Sequence, residues 1–171
     1  MAEAGALARL AGLDADLARR LNRWTHRSRP RRLVTRAAAA WLSAGEVALM
    51  LLLSARDRRG TTVRMLLAVA TVYLAAEVLG RGWPRERPFA GMAGVRSLVR
   101  HRAGRSFPSR HVASGLAMSV IGERVHPGLG RVMFAAAWLL GLSRVAAGLH
   151  YPSDVLAGAA VGLAVGYSWR A

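Results

Sequence analysis

The chain has 171 residues, a length that suits one domain, and 53% of them are hydrophobic, with a positive mean hydropathy. Its 25 basic residues are all arginine, set against nine acids for a formal charge of +16; because they fall between long apolar runs, they suit phospholipid headgroups and a membrane-embedded phosphate site rather than nucleic acid. The lack of cysteine excludes disulfides, thiolate chemistry and cysteine-based zinc sites.

Residues 3–25 place Leu7, Leu10, Leu13, Leu17, Leu21 and Trp24 at spacings of three and four, with charges on the other faces. This is the pattern of an amphipathic helix, read here as lying in the membrane interface. Arg9, Asp14, Asp16, Arg19 and Arg20 interrupt Leu7 to Leu21, so this stretch does not read as a cleavable signal. A basic linker, HRSRPRR, is expected at 26–32, giving an N-terminal unit of 1–32 ahead of a membrane-embedded domain of 33–171.

The fold class expected for that domain is all-α, a polytopic bundle of five transmembrane helices, each near the roughly 20 residues a bilayer requires. Leu33 to Ser54 is the first span, and Glu46 within it reads as a hydrogen-bonded packing residue. The loop ARDRRG leads to a second span, Thr62 to Gly80, where Glu77 reads as a partner holding a site arginine. Residues 81–108 are polar and rich in glycine and arginine, and a loop this long in a compact protein is usually functional. Ser109 to Gly122, Gly130 or Arg131 to Gly148, and Ser153 to Trp169 complete the five, the last two rich in glycine and alanine that let helices approach closely.

Three clusters of ionisable residues sit at the ends of these apolar runs: RGWPRERPF at 81–89, SFPSRH at 106–111 and SRVAAGLHYPSD at 143–154. Ionisable groups at the edge of a bilayer segment are expensive and therefore point to a site. In the third cluster Arg144 offers a fork of donors for phosphate oxygens, His150 a nitrogen nucleophile and Asp154 an orienting partner. Pro152 argues against one continuous helix through both, placing His150 in a turn and Asp154 in the first turn of the next helix. In the second cluster Ser109 can cap a helix whose first free N–H groups face an anion. Alternating the spans brings the end of the second, the start of the third, the end of the fourth and the start of the fifth to one membrane face, so the clusters converge.

RERPF, PSRH and SRVAAGLHYPSD resemble the three signature motifs of the type 2 phosphatidic acid phosphatase superfamily, integral-membrane lipid phosphatases, over roughly residues 62–169. The resemblance implies that His150 becomes phosphorylated, that Asp154 fixes its tautomer, and that His111 protonates the leaving oxygen and then activates water. It implies that Arg87, Arg144, Ser109 and the N–H groups starting the third span hold the phosphoryl oxygens, with no metal or other cofactor. Two departures stand out. Gly80 occupies the register of the family's first-motif lysine, so that role falls to Arg81, and Arg110 replaces the glycine of PSGH, where it is expected to read a second anionic group on the substrate. His26, His101 and His126 read as structural.

Two other classes compete: a metal hydrolase using His111, His150 and Asp154, which the surrounding arginines oppose, and a non-catalytic protein binding anionic lipid through its arginines. The resemblance implies a lipid phosphate as substrate, surrounding membrane lipid and no nucleic-acid partner: phosphatidic acid, phosphatidylglycerophosphate, or a polyprenyl phosphate, diphosphate or sugar phosphate. The small size and the arginine-only, alanine-rich character resemble actinobacterial members, some similar to the phosphatase acting on decaprenylphosphoryl-ribose 5-phosphate. The expected location is the bacterial inner membrane, and the arginine count on the site-bearing face favours a cytoplasmic orientation.

Overall fold

The computed structural model describes residues 2–56 and 60–170 and is helical almost throughout. Its elements are α1 (Ala2–His26), α2 (Arg29–Arg56), α3 (Thr61–Gly82), the single turn α4 (Pro88–Gly91), α5 (Arg110–Val125), α6 (Pro127–Ala146) and α7 (Pro152–Ser168). Among the described residues the only β pairing is one isolated antiparallel bridge, Glu86 with Arg105.

α5 is the central helix, and its composition explains why. Every residue from Val112 to Gly122 is buried, so it carries no wide polar face and must be surrounded, by α3, α6 and α7. Small residues set how closely its neighbours approach. On α7, Gly158, Gly162 and Gly166 recur every four residues along one face, and a Cβ on Gly158 would lie 2.5 Å from the Ser109 carbonyl oxygen. One on Gly162 would overlap the backbone of Ala113, so the expected close approach of glycine-rich helices is what holds α5 against α7. Met50, Leu53, Met65, Val72, Ala117, Ile121 and Met133 fill the core on the other side.

Among the described residues three helices are long and apolar enough to cross a membrane: Arg29–Leu53, Thr61–Gly82 and Pro127–Ala146. α5 and α7 have 16 and 17 residues, about 24–26 Å of helix at 1.5 Å per residue, short of a ~30 Å hydrocarbon core. Leu51, Leu66, Leu74, Leu139, Leu142 and Leu156 point outward from the bundle, as residues facing lipid would.

Two boundaries differ from the expectation. The basic linker is almost entirely helical, because α2 begins at Arg29 and only Arg27 and Ser28 separate it from α1. Proline early in a helix stands where its missing N–H costs nothing, so Pro30 starts α2 rather than breaking it. Of the expected ARDRRG loop, Ala55 and Arg56 belong to the end of α2, and residues 57–59 lie outside the described residues.

α1 leaves Leu7, Leu10, Leu13, Leu17 and Trp24 exposed. Its other face is buried and polar: Ala18, Asn22 and Thr25 pack inward, and Asn22 donates to the carbonyls of Arg96 and Ala146, both at 2.9 Å, while accepting from the Arg96 N–H at 3.1 Å. α1 thereby ties the long polar loop to the end of α6.

Candidate active site

The site forms where the end of α3, the 83–109 loop, the start of α5 and the α6–α7 turn meet. Backbone hydrogen bonds lock the loop over that turn: Phe89 N–H to Gly148 O at 3.0 Å, Leu98 N–H to Ala147 O at 3.2 Å, and Ser109 N–H to Asp154 O at 2.9 Å. Gly148 is required by this closure. Its φ of +78° is unfavourable to other residues, and a Cβ there would press on Val95 at 3.0 Å and the Arg96 carbonyl at 3.1 Å.

His150 lies in the turn and Asp154 in the first turn of α7, as Pro152 dictates. Both are buried. The imidazole Nδ1 faces Asp154 Oδ2 at 3.6 Å, an ion-pair distance slightly too long for a hydrogen bond. Nε2 lies 3.3 Å from an Arg87 guanidinium nitrogen, which also donates to the Leu149 carbonyl at 3.0 Å. An arginine only donates, so Nε2 is assigned as the lone-pair nitrogen and Nδ1 as the protonated one. Burial holds His150 well below the usual imidazole range, at about 4; the Asp154 carboxylate opposes this, and the charges of Arg144 and Arg87 push further down.

Asp154 is held in turn. Its Oδ2 accepts the Tyr151 N–H at 2.8 Å, the Asp154 half of a capping box, and its Oδ1 accepts from Arg85 at 3.2 Å. Arg85 also donates to Ser153 Oγ at 2.7 Å and to Asp14 Oδ2 at 2.7 Å, and its guanidinium carbon stacks 3.5 Å from the Tyr151 ring centroid. Asp14 accepts from Ser153 as well, at 2.9 Å from the N–H and 2.5 Å from the hydroxyl. A chain of contacts therefore runs from α1 through Arg85 to the carboxylate behind His150.

In front of His150 lies a cavity of about 190 Å³ lined by Arg87, Arg105, Arg110, His101, His111 and Tyr73 among others. Its charge balance is strongly positive. Of the two nearby carboxylates, Asp154 is engaged by Arg85, and Glu77 accepts from Arg105 at 2.6 Å and Arg81 at 3.1 Å. Several polar atoms are buried here without a partner among the described residues: Arg87 Nε, Arg144 Nε and Ser109 Oγ. Unpaired buried donors around a positive cavity call for an anion with several oxygens. No three His, Asp or Glu side chains among the described residues form a metal-holding set.

Of the residues singled out from sequence, His150, His111, Arg87 and Arg110 line the cavity. Asp154, Ser109 and Arg144 are buried behind them, Arg144 with a guanidinium nitrogen 3.4 Å from His101 Nε2. Ser109 stands at the N-cap of α5 but its hydroxyl makes no cap bond and its N–H is taken by Asp154, so it differs from the expected cap and leaves its Oγ free. Arg81 does not line the cavity: its side chain is 71% exposed and donates to Glu77 Oε1, the oxygen that Arg105 also uses. The physical reason is at Gly80, where a Cβ would lie 2.8 Å from the Phe107 carbonyl and 3.8 Å from Arg105 Nε. No side chain fits at position 80, and Arg105 reaches from the loop into that space; Arg81, about 100° further round the helix, turns away.

Sequence reasoning missed five participants, the first of them Arg105 on the cavity wall. Arg85 sits inside RERPF and Tyr151 inside the third motif, but neither spacing announced its contacts. Asp14 is 139 residues from Ser153, too distant for any local pattern. His101, read as structural, lines the cavity, where burial and the neighbouring arginines lower its proton affinity although its bond to the Arg102 carbonyl opposes them. Glu46 also differs from its reading: its Oε1 is buried with no hydrogen-bond partner among the described residues.

A family model, the PAP2 superfamily, matches residues 61–171, which contain His111, His150 and Asp154. The chain belongs to the PAP2 superfamily. It is 36% identical to an undecaprenyl-diphosphatase of Bacillus subtilis over 81 residues, covering 47% of this chain and 42% of the relative. It is likewise 36% identical to a lipid A 1-phosphatase of Rhizobium etli over 89 residues, covering 52% of this chain and 38% of that one. The chain spans about half or less of the length of the curated relatives it matches. The fold is that of the solved Aquifex aeolicus LpxE, with a TM-score of 0.74, 24% identity, and coverage of 90% of this chain and 92% of that one.

Proposed function

We propose that this PAP2 protein is an integral-membrane lipid-phosphate phosphatase that works without a metal, through a phosphohistidine on His150. The observation that carries this reading is the orientation of one imidazole: Nδ1 toward the buried Asp154, Nε2 toward a cavity walled by arginines and a second histidine. That leaves the Nε2 lone pair for attack on phosphorus.

The substrate phosphoryl group enters the positive cavity, and its oxygens, better acceptors than imidazole, take the donors of Arg87, Arg144 and Arg105 together with Ser109 Oγ. His150 Nε2 forms a bond to phosphorus as the P–O bond to the lipid alcohol breaks, and His111 gives its proton to the departing oxygen. The arginines oppose the charge accumulating on the phosphoryl oxygens. His111 then takes a proton from water, which attacks the phosphohistidine and releases inorganic phosphate, restoring both histidines. Asp154 balances the positive charge on the His150 ring in the intermediate.

Arg105 takes the basic position that Gly80 vacates, with Arg81 acting only through Glu77. Arg110, on the cavity wall with its guanidinium carbon 5.5 Å from the Tyr73 ring centroid, is free to read a further anionic group. α5 and α7 complete a five-span bundle in a membrane thinned around their short lengths. The outward leucine stripe of α1 lies in the interface with Trp24 and its stacked Arg31 at headgroup level. Residues 33–171 form the phosphatase domain and 1–32 its buttress, in a bacterial inner membrane with the arginine-rich site face cytoplasmic. Relatives named for undecaprenyl diphosphate and for lipid A support a lipid-borne phosphate as substrate.

The test is phosphate release by the detergent-purified protein from a panel of lipid phosphates with excess chelator. Release that survives chelation and disappears in His150→Ala is the expected result. Loss on chelation alone returns the metal reading, and no release from any lipid returns the lipid-binding one.

A further inference from the structure

A second crevice, about 440 Å³, opens between α2, α3 and α5 and is lined by Ser43, Glu46, Met50, Leu66, Val69 and Met118 together with Tyr73, His111 and Ser114. Tyr73 and His111 also line the phosphate cavity, so the two spaces adjoin at the histidine that serves as acid. Since the proposed mechanism has His111 protonate the leaving oxygen, the esterified alcohol falls beside this crevice in that reading.

The crevice is mostly apolar, and two of its polar groups, Glu46 and Ser114, are buried. Glu46 is only 2% exposed, and its Oε1 has no hydrogen-bond partner among the described residues. Ser114, 9% exposed, presents an Oγ that is equally unpartnered. Such groups carry a desolvation penalty unless something satisfies them. α5 is shaped to admit the carboxyl: a Cβ on Gly115 would lie 2.5 Å from Glu46 Oε1. His111, Ser114 and Gly115 stand at i, i+3 and i+4, one face of α5, so the acid, the hydroxyl and the notch share one wall.

Deepening the phosphatase reading and resting on it, we infer that Glu46 and Ser114 form a hydroxyl-recognition subsite, and that the substrate is a lipid phosphomonoester whose esterified alcohol carries a free hydroxyl beside the phosphate. Glu46 accepts that hydroxyl's hydrogen and Ser114 Oγ completes the pair. A glycerol or pentose unit supplies such a group; a phosphatidic acid has none. A polyprenyl diphosphate fits worse, because its leaving group is itself an anion and would be buried in a mostly apolar crevice.

Two synthetic probes isolate the group: 1-oleoyl-glycerol 3-phosphate, with a free 2-hydroxyl, and the matching oleoyl-propanediol phosphate without it. The detergent-purified full chain is expected to favour the hydroxylated probe by about tenfold in kcat/KM, the effect of one buried hydrogen bond whose loss leaves the acceptor unpaired. That ratio should fall to near one in Glu46→Leu, fall partly in Ser114→Ala, and largely persist in Glu46→Gln, which keeps an acceptor oxygen. A wild-type ratio near one, as expected if the crevice holds only water, overturns the subsite while leaving the phosphatase standing. A high ratio unchanged in Glu46→Leu overturns it as well. Release from neither probe, with chelator present, overturns the phosphatase reading and the subsite together.

Discussion

Replacing Arg85 with alanine removes a residue outside the cavity wall that holds Asp154, the partner of the proposed nucleophile His150, in place. Its guanidinium makes three hydrogen bonds, to Asp154 at 3.2 Å, Ser153 at 2.7 Å and Asp14 at 2.7 Å, and stacks on Tyr151. Without it Asp154 keeps only the Tyr151 N–H and the His150 ring, and a fully buried carboxylate loses its one charged donor. Breaking a buried ion pair costs about 3–5 kcal/mol. Arg85 is part-exposed, with 29% of its side chain open to solvent, which discounts that to about 2 kcal/mol. If Asp154 drifts so that Nδ1 is no longer oriented, that loss appears in the transition state as roughly a thirtyfold fall in kcat/KM. Initial-rate phosphate release should show the fall mainly in kcat, because the arginines lining the cavity remain. Arg85→Lys should recover only part of it, since one ammonium cannot span three partners. A kcat within twofold of wild type for Arg85→Ala, in protein that melts normally, refutes the idea that this strap positions the site.

Arg105→Ala should raise KM about tenfold, the effect of one charge-assisted contact, whereas Arg81→Ala should stay within about twofold; the reverse order would return the first-motif role to Arg81. Because burial keeps His150 neutral in the fold at pH values where the unfolded chain is protonated, its contribution to stability is fully present above about 6.5 and is lost as pH falls toward about 4. Melting temperature in detergent should drop across that window and drop less in His150→Asn, and kcat/KM should show an acid limb near pH 4; parallel melting curves for the two proteins would contradict it. Gly158→Ala puts a methyl 2.5 Å from the Ser109 carbonyl, forcing α5 from α7 beside the Ser109–Asp154 bond, with an expected loss of about 1–3 kcal/mol of stability and reduced kcat; an unchanged melt and rate would count against tight packing there.

The parts legible in the sequence were those written in short-range spacing. Periodicity marked α1, apolar runs marked the long helices, and Pro152 fixed the break that puts His150 in a turn and Asp154 in a helix start. The convergence of the clusters followed from counting span ends. What stayed illegible depends on contacts between distant segments. Arg85 and Asp14 meet across 71 residues, and no local pattern distinguishes them from other charged residues on a loop and a helix. Arg81 was the natural replacement for a missing basic residue by register, yet the Phe107 carbonyl against Gly80 decides that a loop arginine fills the space instead. Glu46 looked like a packing residue because its neighbours in sequence are apolar; that its oxygen lies unpartnered in a crevice beside His111 depends on how α2 leans on α5.

The central claim is a covalent bond between phosphorus and His150. Wild-type protein turning over a lipid phosphate with chelator present should be quenched rapidly in alkali, where a phosphoramidate survives, digested, and sequenced by mass spectrometry. The account predicts one phosphoryl group on His150, absent from the His150→Ala protein and from samples quenched in acid. Phosphate release that continues with the phosphoryl group on another residue, or with His150→Ala fully active, would contradict it.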